Sequence, residues 1–409
     1  MAHETCSTPL GGDLSRRVAG PRSAEGPAGS HGSPFRPLRA CHVIHALGPG
    51  GAERSLVALA AAAEGVGLDM SVVALTAASD DRYVRRLASE GVEVVELDVR
   101  GRWDVRALSK AGGAVRELAP DVVHTHLKHA DIVGGHAARR LGLPMISTLH
   151  LIEDAPTLPG RAKRRAGVQV RERSAALTIA VSDALRTWYV GSFRVIADRV
   201  VVVRNGVTPP PRLSSADRAL LRERLGVRPD EVAVACVAIM RPGKGHHDLL
   251  QALARLPSGH PVHLVLVGDG PLLGQLQSVA RDLSLPVTFA GFRDDVPAVL
   301  QATDMVVHPA RFDALPTALI EALAAGRPVL ATEVGGVPEI VTSEVGRLLP
   351  PGDVAALATG MKQMAEDPEL RRTLGAAAHR RFESEFDAGR WAGRLRHCYE
   401  RALAAASPS

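Results

Sequence analysis

Aromatic residues are scarce in this sequence: Phe, Trp and Tyr make up 3% of its 409 residues, while apolar residues reach 46%. A core of that kind is built from Ala, Val and Leu, which suits sheets sandwiched between helices. Cysteine is scarce too. Cys6, Cys41, Cys236 and Cys398 lie far apart with no CxxC pair, which argues against a disulfide framework and a structural zinc site and fits a reducing cytoplasm. No run of 18 apolar residues escapes an interrupting charge, Gly or Pro, so no membrane-spanning helix is expected. The first 38 residues are rich in Gly, Ser, Pro and Arg and lack the apolar stretch of a secretory signal; they read as a disordered tail. Nor is charge of one sign in large excess. The net charge of +5 is modest for this length and gives no reason to expect a nucleic-acid partner. Cations do crowd locally at Arg161, Lys163, Arg164, Arg165, Arg171 and Arg173. Such a cluster either meets an anionic membrane surface or is a solvated, arginine-rich helix face.

A chain of 409 residues suits two domains rather than one. From Ala40 onward, short β-branched runs alternate with alanine-rich amphipathic stretches, the mark of parallel βαβ units. Strands are expected at 41–47, 70–76, 92–99, 121–127, 145–150, 177–182 and 200–206. Three consecutive prolines inside 207–218 forbid helix and central strand alike, so this is the linker. A second series follows at 231–240, 262–268, 286–291, 305–310 and 328–334. The expected fold is therefore α/β, two doubly wound parallel-sheet domains facing a central cleft. Their bounds are 39–207 and 208–383, and a terminal helix over 384–409 packs back on the first.

In open parallel sheets, ligands sit at the carboxyl ends of strands, and four loops there carry chemistry. Gly48, Pro49, Gly50 and Gly51 follow the first strand and open a helix near Ala52. Glycines there admit a ligand to the backbone, though a tight strand-to-helix turn needs them in any case, and the run is not GxGxxG. His124 and His126 end another strand on one side of it, with His129 beyond. They suit metal ligation, for which no third ligand is evident, or acid/base and hydrogen-bonding work with a pKa near neutrality. Arg241 and Lys244 lie in a Pro/Gly turn and suit a diphosphate, or are solvated cations of a polar loop. Finally, residues 311–315 lead into a helix starting near Pro316, whose first N–H groups and dipole suit phosphate. Asp313 and Glu321, eight residues apart, suit the hydroxyl groups of a ribose or hexose; read singly, they are a turn former and an ordinary helix residue. Asp294 and Asp295 read as caps of the following helix.

Taken together, these loops resemble a retaining glycosyltransferase of family 4, in the glycosyl transferases group 1 with the GT-B fold of two Rossmann-like domains. The resemblance runs from about residue 40 to 400 and is most specific over 313–339, similar to a signature of two glutamates with seven residues between them followed by AxGxPVxAT and GGxPEIV. GGAER (50–54), VHTH (123–126), AVS (180–182), RNGV (204–207), RPGKGH (241–246) and VGDGP (267–271) resemble other recurring segments.

The resemblance implies that Lys244, with Arg241, meets the donor's diphosphate, Glu321 the ribose and Asp313 the transferred sugar. Backbone amides of Ala314, Leu315, Pro316 and Thr317 would line the phosphates or sugar, Pro316 by its backbone alone. Gly291, Phe292 and Arg293 would lie against the nucleobase, His126 near the donor sugar across the cleft, and Gly50 and Gly51 would let the first domain close. Two departures stand out: Asp313 replaces the usual Glu, and Ile239 occupies the place of a frequent arginine.

The implied reaction is transfer from a UDP- or GDP-sugar to a glycan or lipid-linked acceptor with retained anomeric configuration. The resemblance implies attack on the face from which the diphosphate leaves, so no enzyme nucleophile is expected, and no metal or other cofactor, because no DxD motif comes with the resemblance and cations already face the phosphates. The expected location is cytoplasmic, peripheral to the inner face of the membrane if the 161–173 cluster binds lipid. A sugar-nucleotide epimerase, a phosphorylase or a non-catalytic nucleotide-sugar binding protein on the same scaffold are the alternatives, since fold alone does not set chemistry.

Overall fold

The computed structural model of the protein describes residues 7–9, 15–19, 36–48, 50–99, 106–151 and 157–406. Two compact units result. Unit 1 joins the described residues up to Thr208 with those from Ala388 on, and unit 2 is Pro209–Asp387. The chain passes from one to the other at Pro209, Pro210 and Pro211, where proline withholds both the φ freedom and the N–H that a helix or ladder needs.

Unit 1 holds strands β1 (Ser7–Pro9), β2 (Ser15–Val18), β3 (Leu38–Ile44), β4 (Leu68–Ala74), β5 (Glu93–Leu97), β6 (Val122–His126), β7 (Met145–Leu149), β8 (Leu177–Ala180) and β9 (Val200–Val202), in the order β1-β2-β5-β4-β3-β6-β7-β8-β9. From β5 to β9 all pairs are parallel. Unit 2 holds β10 (Val232–Val237), β11 (Val262–Val267), β12 (Val287–Gly291), β13 (Met305–His308), β14 (Val329–Thr332) and β15 (Gly346–Leu349), in the order β12-β11-β10-β13-β14-β15, all parallel. Central strands such as β6, β7 and β11 are buried along their whole length. That is why they read as continuous β-branched runs rather than alternating ones.

Both sheets are doubly wound, and their strand order reverses between β3 and β6 in unit 1 and between β10 and β13 in unit 2. Loops leaving the strands on either side of such a reversal splay apart and leave room for a ligand. The four loops singled out above leave these four strands.

The last helix, Ala388–Ala406, belongs to unit 1. Its Trp391, Leu395 and Tyr399 join the core on the same side of the sheet as Leu56 and Leu59 of the helix Gly51–Ala63. Phe386, expected to lie on the same helix, sits instead in a π-turn, Phe382–Phe386, that ends unit 2.

Two features differ from the reading of the sequence. Residues 1–38 were expected to be a disordered tail, yet β2 pairs antiparallel with β5 and β1 with β2. Both charge and burial hold it there: β5 carries buried Glu93 and Glu96, Arg17 pairs with Glu93, Arg16 lies 3.6 Å from Glu96, and Val18 enters the hydrophobic core. No hydrophobic run announces such a strand. Strand β15 was also missed, since its sequence GRLL has no β-branched residue and lies at a sheet edge.

Candidate functional site

In unit 2 the loop after β10 and the loop after β13 touch through glycines. Gly245 has φ +74°, and a Cβ there would lie 1.9 Å from the Pro309 carbonyl oxygen. Only glycine permits that approach and that backbone conformation together. The Arg311 amide donates to the Gly243 carbonyl at 2.8 Å, and the Arg311 guanidinium pairs with Asp248. Thus tied, the loops bring Lys244 Nζ to 2.6 Å from Asp313 Oδ2, with His308 Nε2 3.2 Å from the same oxygen. Burial alone would raise the Asp313 carboxyl. The His308 hydrogen bond and charge, with Lys244, outweigh it and hold the group at about 2. Asp313 is therefore a carboxylate at any physiological pH.

Gly335, of the GGVPE segment, explains the other side of Asp313. Its φ is +48°, and a Cβ would lie 1.8 Å from the Asp313 carbonyl oxygen. The helix Thr317–Ala324 follows, with Pro316 as its N-cap at ψ 110° rather than inside its first turn as expected. Its leading N–H groups have no intrahelical partner, as at any helix start. Ala314, Leu315 and Pro316 are buried, Thr317 half-buried, and Glu321 half-buried one turn along. Arg241 is exposed and makes no ion pair among the described residues. Gly291 has φ +65°, Phe292 is 37% exposed, and Arg293 pairs with Asp295 at 2.6 Å. That pair corrects the expectation for Asp295: it holds the N-cap position of the helix Val296–Ala302 but makes no side-chain cap, because Arg293 takes its carboxylate.

In unit 1, Gly50 is the N-cap of the helix Gly51–Ala63, with Glu53 against it. A Cβ on Gly51 would meet nothing within 4 Å, so no contact among the described residues demands that glycine. Pro49 lies outside the described residues.

His126 ends β6 and is 5% exposed. The next residue, Leu127, has φ +71°, a conformation that costs a branched side chain roughly 1–3 kcal/mol and is met most often at functional sites. Two corrections concern these histidines. A third imidazole is present: parallel pairing of β3 with β6 sets His42 opposite His124. One ring nitrogen each of His42, His124 and His126 lies within 4.8 Å of the others. And the pKa of His126 is not near neutrality. Burial first, then the neighbouring imidazoles, push it and His124 well below the usual value. His129 stands apart, 3.0 Å from His45.

The basic cluster lies on the helix Leu158–Ser174. Arg161, Lys163, Arg165 and Arg173 are exposed. Arg171 is buried and pairs with Asp131 at 2.6 Å, and Arg164 stacks over Trp188 and Phe193. Two of the six cations thus serve the fold. No helix among the described residues is long and apolar enough to cross a membrane.

Two Rossmann-like units, the second with a lysine and a carboxylate meeting where its strand order reverses, define a two-domain enzyme of the GT-B architecture. Residues 217–381 match the family Glycosyl transferases group 1, and residues 49–209 match Glycosyltransferase Family 4. The chain is 30% identical to D-inositol 3-phosphate glycosyltransferase of Jonesia denitrificans over 80% of this chain and 82% of that one. It is 30% identical to glycogen synthase of Mycobacterium tuberculosis over 67% of each. It is also similar to the crystal structure of HepE from Anabaena in complex with UDP-glucose, at 25% identity and a TM-score of 0.78, covering 89% of this chain and all of that one. The protein belongs to the family 4, group 1 glycosyltransferases.

Proposed function

We propose that this glycosyltransferase moves a hexose from a UDP- or GDP-sugar to a glycan or lipid-linked acceptor with retention at the anomeric carbon. The observation that carries the donor site is the Lys244–Asp313–His308 cluster beside the start of the helix Thr317–Ala324. Lys244 is held by a carboxylate until a diphosphate competes for it. Arg241, exposed beside it, joins it on the phosphates, and the backbone amides of Ala314 and Leu315, just before the helix, and of Thr317, its first residue, add fixed positive ends. Glu321 takes the ribose hydroxyls, Asp313 the sugar, and the turn at Gly291, Phe292 and Arg293 the base. HepE, crystallised with UDP-glucose, supports a nucleotide-sugar donor.

In the reaction the bond from the anomeric carbon to the phosphate oxygen breaks while the acceptor oxygen bonds the same carbon. The acceptor proton passes to the departing phosphate. Lys244 and Arg241 offset the charge that grows there, so transfer needs no metal. The acceptor falls to unit 1, where His126, Gly50 and Gly51 lie. The site of action is the cytoplasm, at an anionic membrane face if Arg161, Lys163 and Arg165 bind lipid.

Nucleotide release from UDP- and GDP-sugars, with and without glycan and lipid acceptors, tests the reading. Acceptor-dependent release that persists in EDTA is expected, with an anomeric configuration in the product matching the donor's. Binding of donor without release would overturn transfer. An inverted product would overturn retention.

A further inference from the structure

Six side chains inside unit 1 form an unbroken series of hydrogen bonds. His150 Nε2 lies 2.9 Å from His126 Nδ1, and His126 Nε2 lies 2.9 Å from His42 Nδ1. His42 Nε2 is 3.4 Å from the Tyr399 hydroxyl, which is 2.8 Å from His124 Nδ1. His124 Nε2 lies 2.7 Å from Thr148 Oγ1. The members come from β3, β6, β7 with the residue after it, and the terminal helix. His42, His124, His126, Thr148 and Tyr399 are buried, and His150 is half-buried.

A neutral imidazole has one donor nitrogen and one acceptor nitrogen, and a hydroxyl donates once. Each link therefore dictates the next. If Thr148 donates to His124 Nε2, then His124, His42, His126 and His150 must all carry their proton on Nδ1, with Tyr399 donating to His42. If His150 donates from Nε2, all four carry it on Nε2 and Tyr399 donates to His124. An imidazolium inside the series would donate on both sides and reverse its direction at that ring, so a series that runs one way throughout needs neutral inner rings. Burial works the same way: it pushes His42 down to about 3 and His150 down to about 4, the latter against the pull of Asp131.

We propose that this series is a tautomer relay, which fixes the protonated nitrogen of His126 and makes the donor or acceptor character of His150 a property of the whole chain. Tyr399 is a positioning residue that couples His124 to the other three. Conversion between the two arrangements moves one proton along every link. One proton enters at Thr148 Oγ1, one leaves from His150 Nδ1, and no charge stays inside. Thr148, His124, His126 and His150 all border one cavity of about 10 Å³, room for roughly one water molecule. The relay rests on the reading above only for its use, since it sets what His126 and His150 offer to a sugar hydroxyl.

A metal shared by His42, His124 and His126 competes poorly with this network. Two nitrogens on one zinc ion are at most about 4.2 Å apart, against the 4.8 Å spread here, and every ring nitrogen of the three already has a partner.

The full chain, labelled with ¹⁵N-histidine and free of donor, tests the relay through long-range ¹H–¹⁵N spectra at pH 7. All four rings should be neutral and share one tautomer. Tyr399→Phe should move the ring nitrogens of His126 and His150, two and three links away, while Cys398→Ala on the same helix should leave them in place. An imidazolium, mixed tautomers in the wild type, or unmoved His126 and His150 signals in folded Tyr399→Phe would overturn it. So would metal content near one per chain with metal-bound ring nitrogens. The wild-type tautomers decide the case even if the variant does not fold. Failure of the transfer reading would show in nucleotide release and leave these spectra unchanged.

Discussion

Replacing Lys244 by Met removes a charge but keeps the length of the side chain, and the structure gives the cost on two separate scales. Asp313 titrates at about 2 when folded against an ordinary 3.8, a difference equivalent to ~2 kcal/mol of folding stability. Because the folded value is the lower one, that stability is fully present above about pH 4 and is lost as pH falls through 2. His308 keeps part of it, so Lys244→Met should cost ~1 kcal/mol at pH 7, and the difference from wild type should vanish toward pH 2. The second scale is catalysis. A charge-assisted contact to phosphate is worth about 1.5–3 kcal/mol, which converts to about a 10- to 150-fold loss in kcat/KM. Initial rates of nucleotide release over a range of donor concentrations read the second effect, and urea unfolding at several pH values reads the first. A variant with kcat/KM within about twofold of wild type would refute the phosphate role of Lys244. Loss of stability without loss of rate would leave it a purely structural partner of Asp313.

Gly245→Ala must place a Cβ against the Pro309 carbonyl at a positive φ and should cost ~2 kcal/mol or more in urea unfolding; a neutral substitution would show that the two loops are not held as described. Glu321→Ala should lower kcat/KM for the donor at least ~10-fold, equivalent to about 1.4 kcal/mol, and unchanged kinetics would remove the ribose assignment. Arg171→Leu leaves the buried Asp131 carboxylate without its cation and should destabilise by ~3–5 kcal/mol in denaturant melts. Exposed Arg165→Ala on the same helix should stay within about 0.5 kcal/mol. Equal effects would contradict the division of the basic cluster into structural and solvated cations.

Much of the fold was legible because strands buried on both faces read as β-branched runs. The strands β3 to β14, apart from their ends, fall where those runs lie. What escaped were elements without such a run: β2, held to β5 by arginines facing buried glutamates and by the single buried Val18, and β15, an edge strand without a β-branched residue. In the candidate site, the loops and their cations were visible as local motifs. The pairing of Lys244 with Asp313, sixty-nine residues apart, was not, and neither was the reason for Gly335. His124 and His126 were visible as a pair on one side of a strand, but His42 and His150 carried no local signal that could link them.

The sequence by itself determined the two parallel-sheet units, the proline break between them and the strand-end loops, because each is written in short-range periodicity and backbone preference. It also carried the 313–339 segment, within the stretch that matches Glycosyl transferases group 1. Only the tertiary structure decided what those residues touch. Parallel register set His42 beside His124, and the return of the terminal helix brought Tyr399 to both. Burial then took the imidazoles far from their solution titration, a change that depends on which neighbours exclude water and so cannot be read from any single stretch of chain.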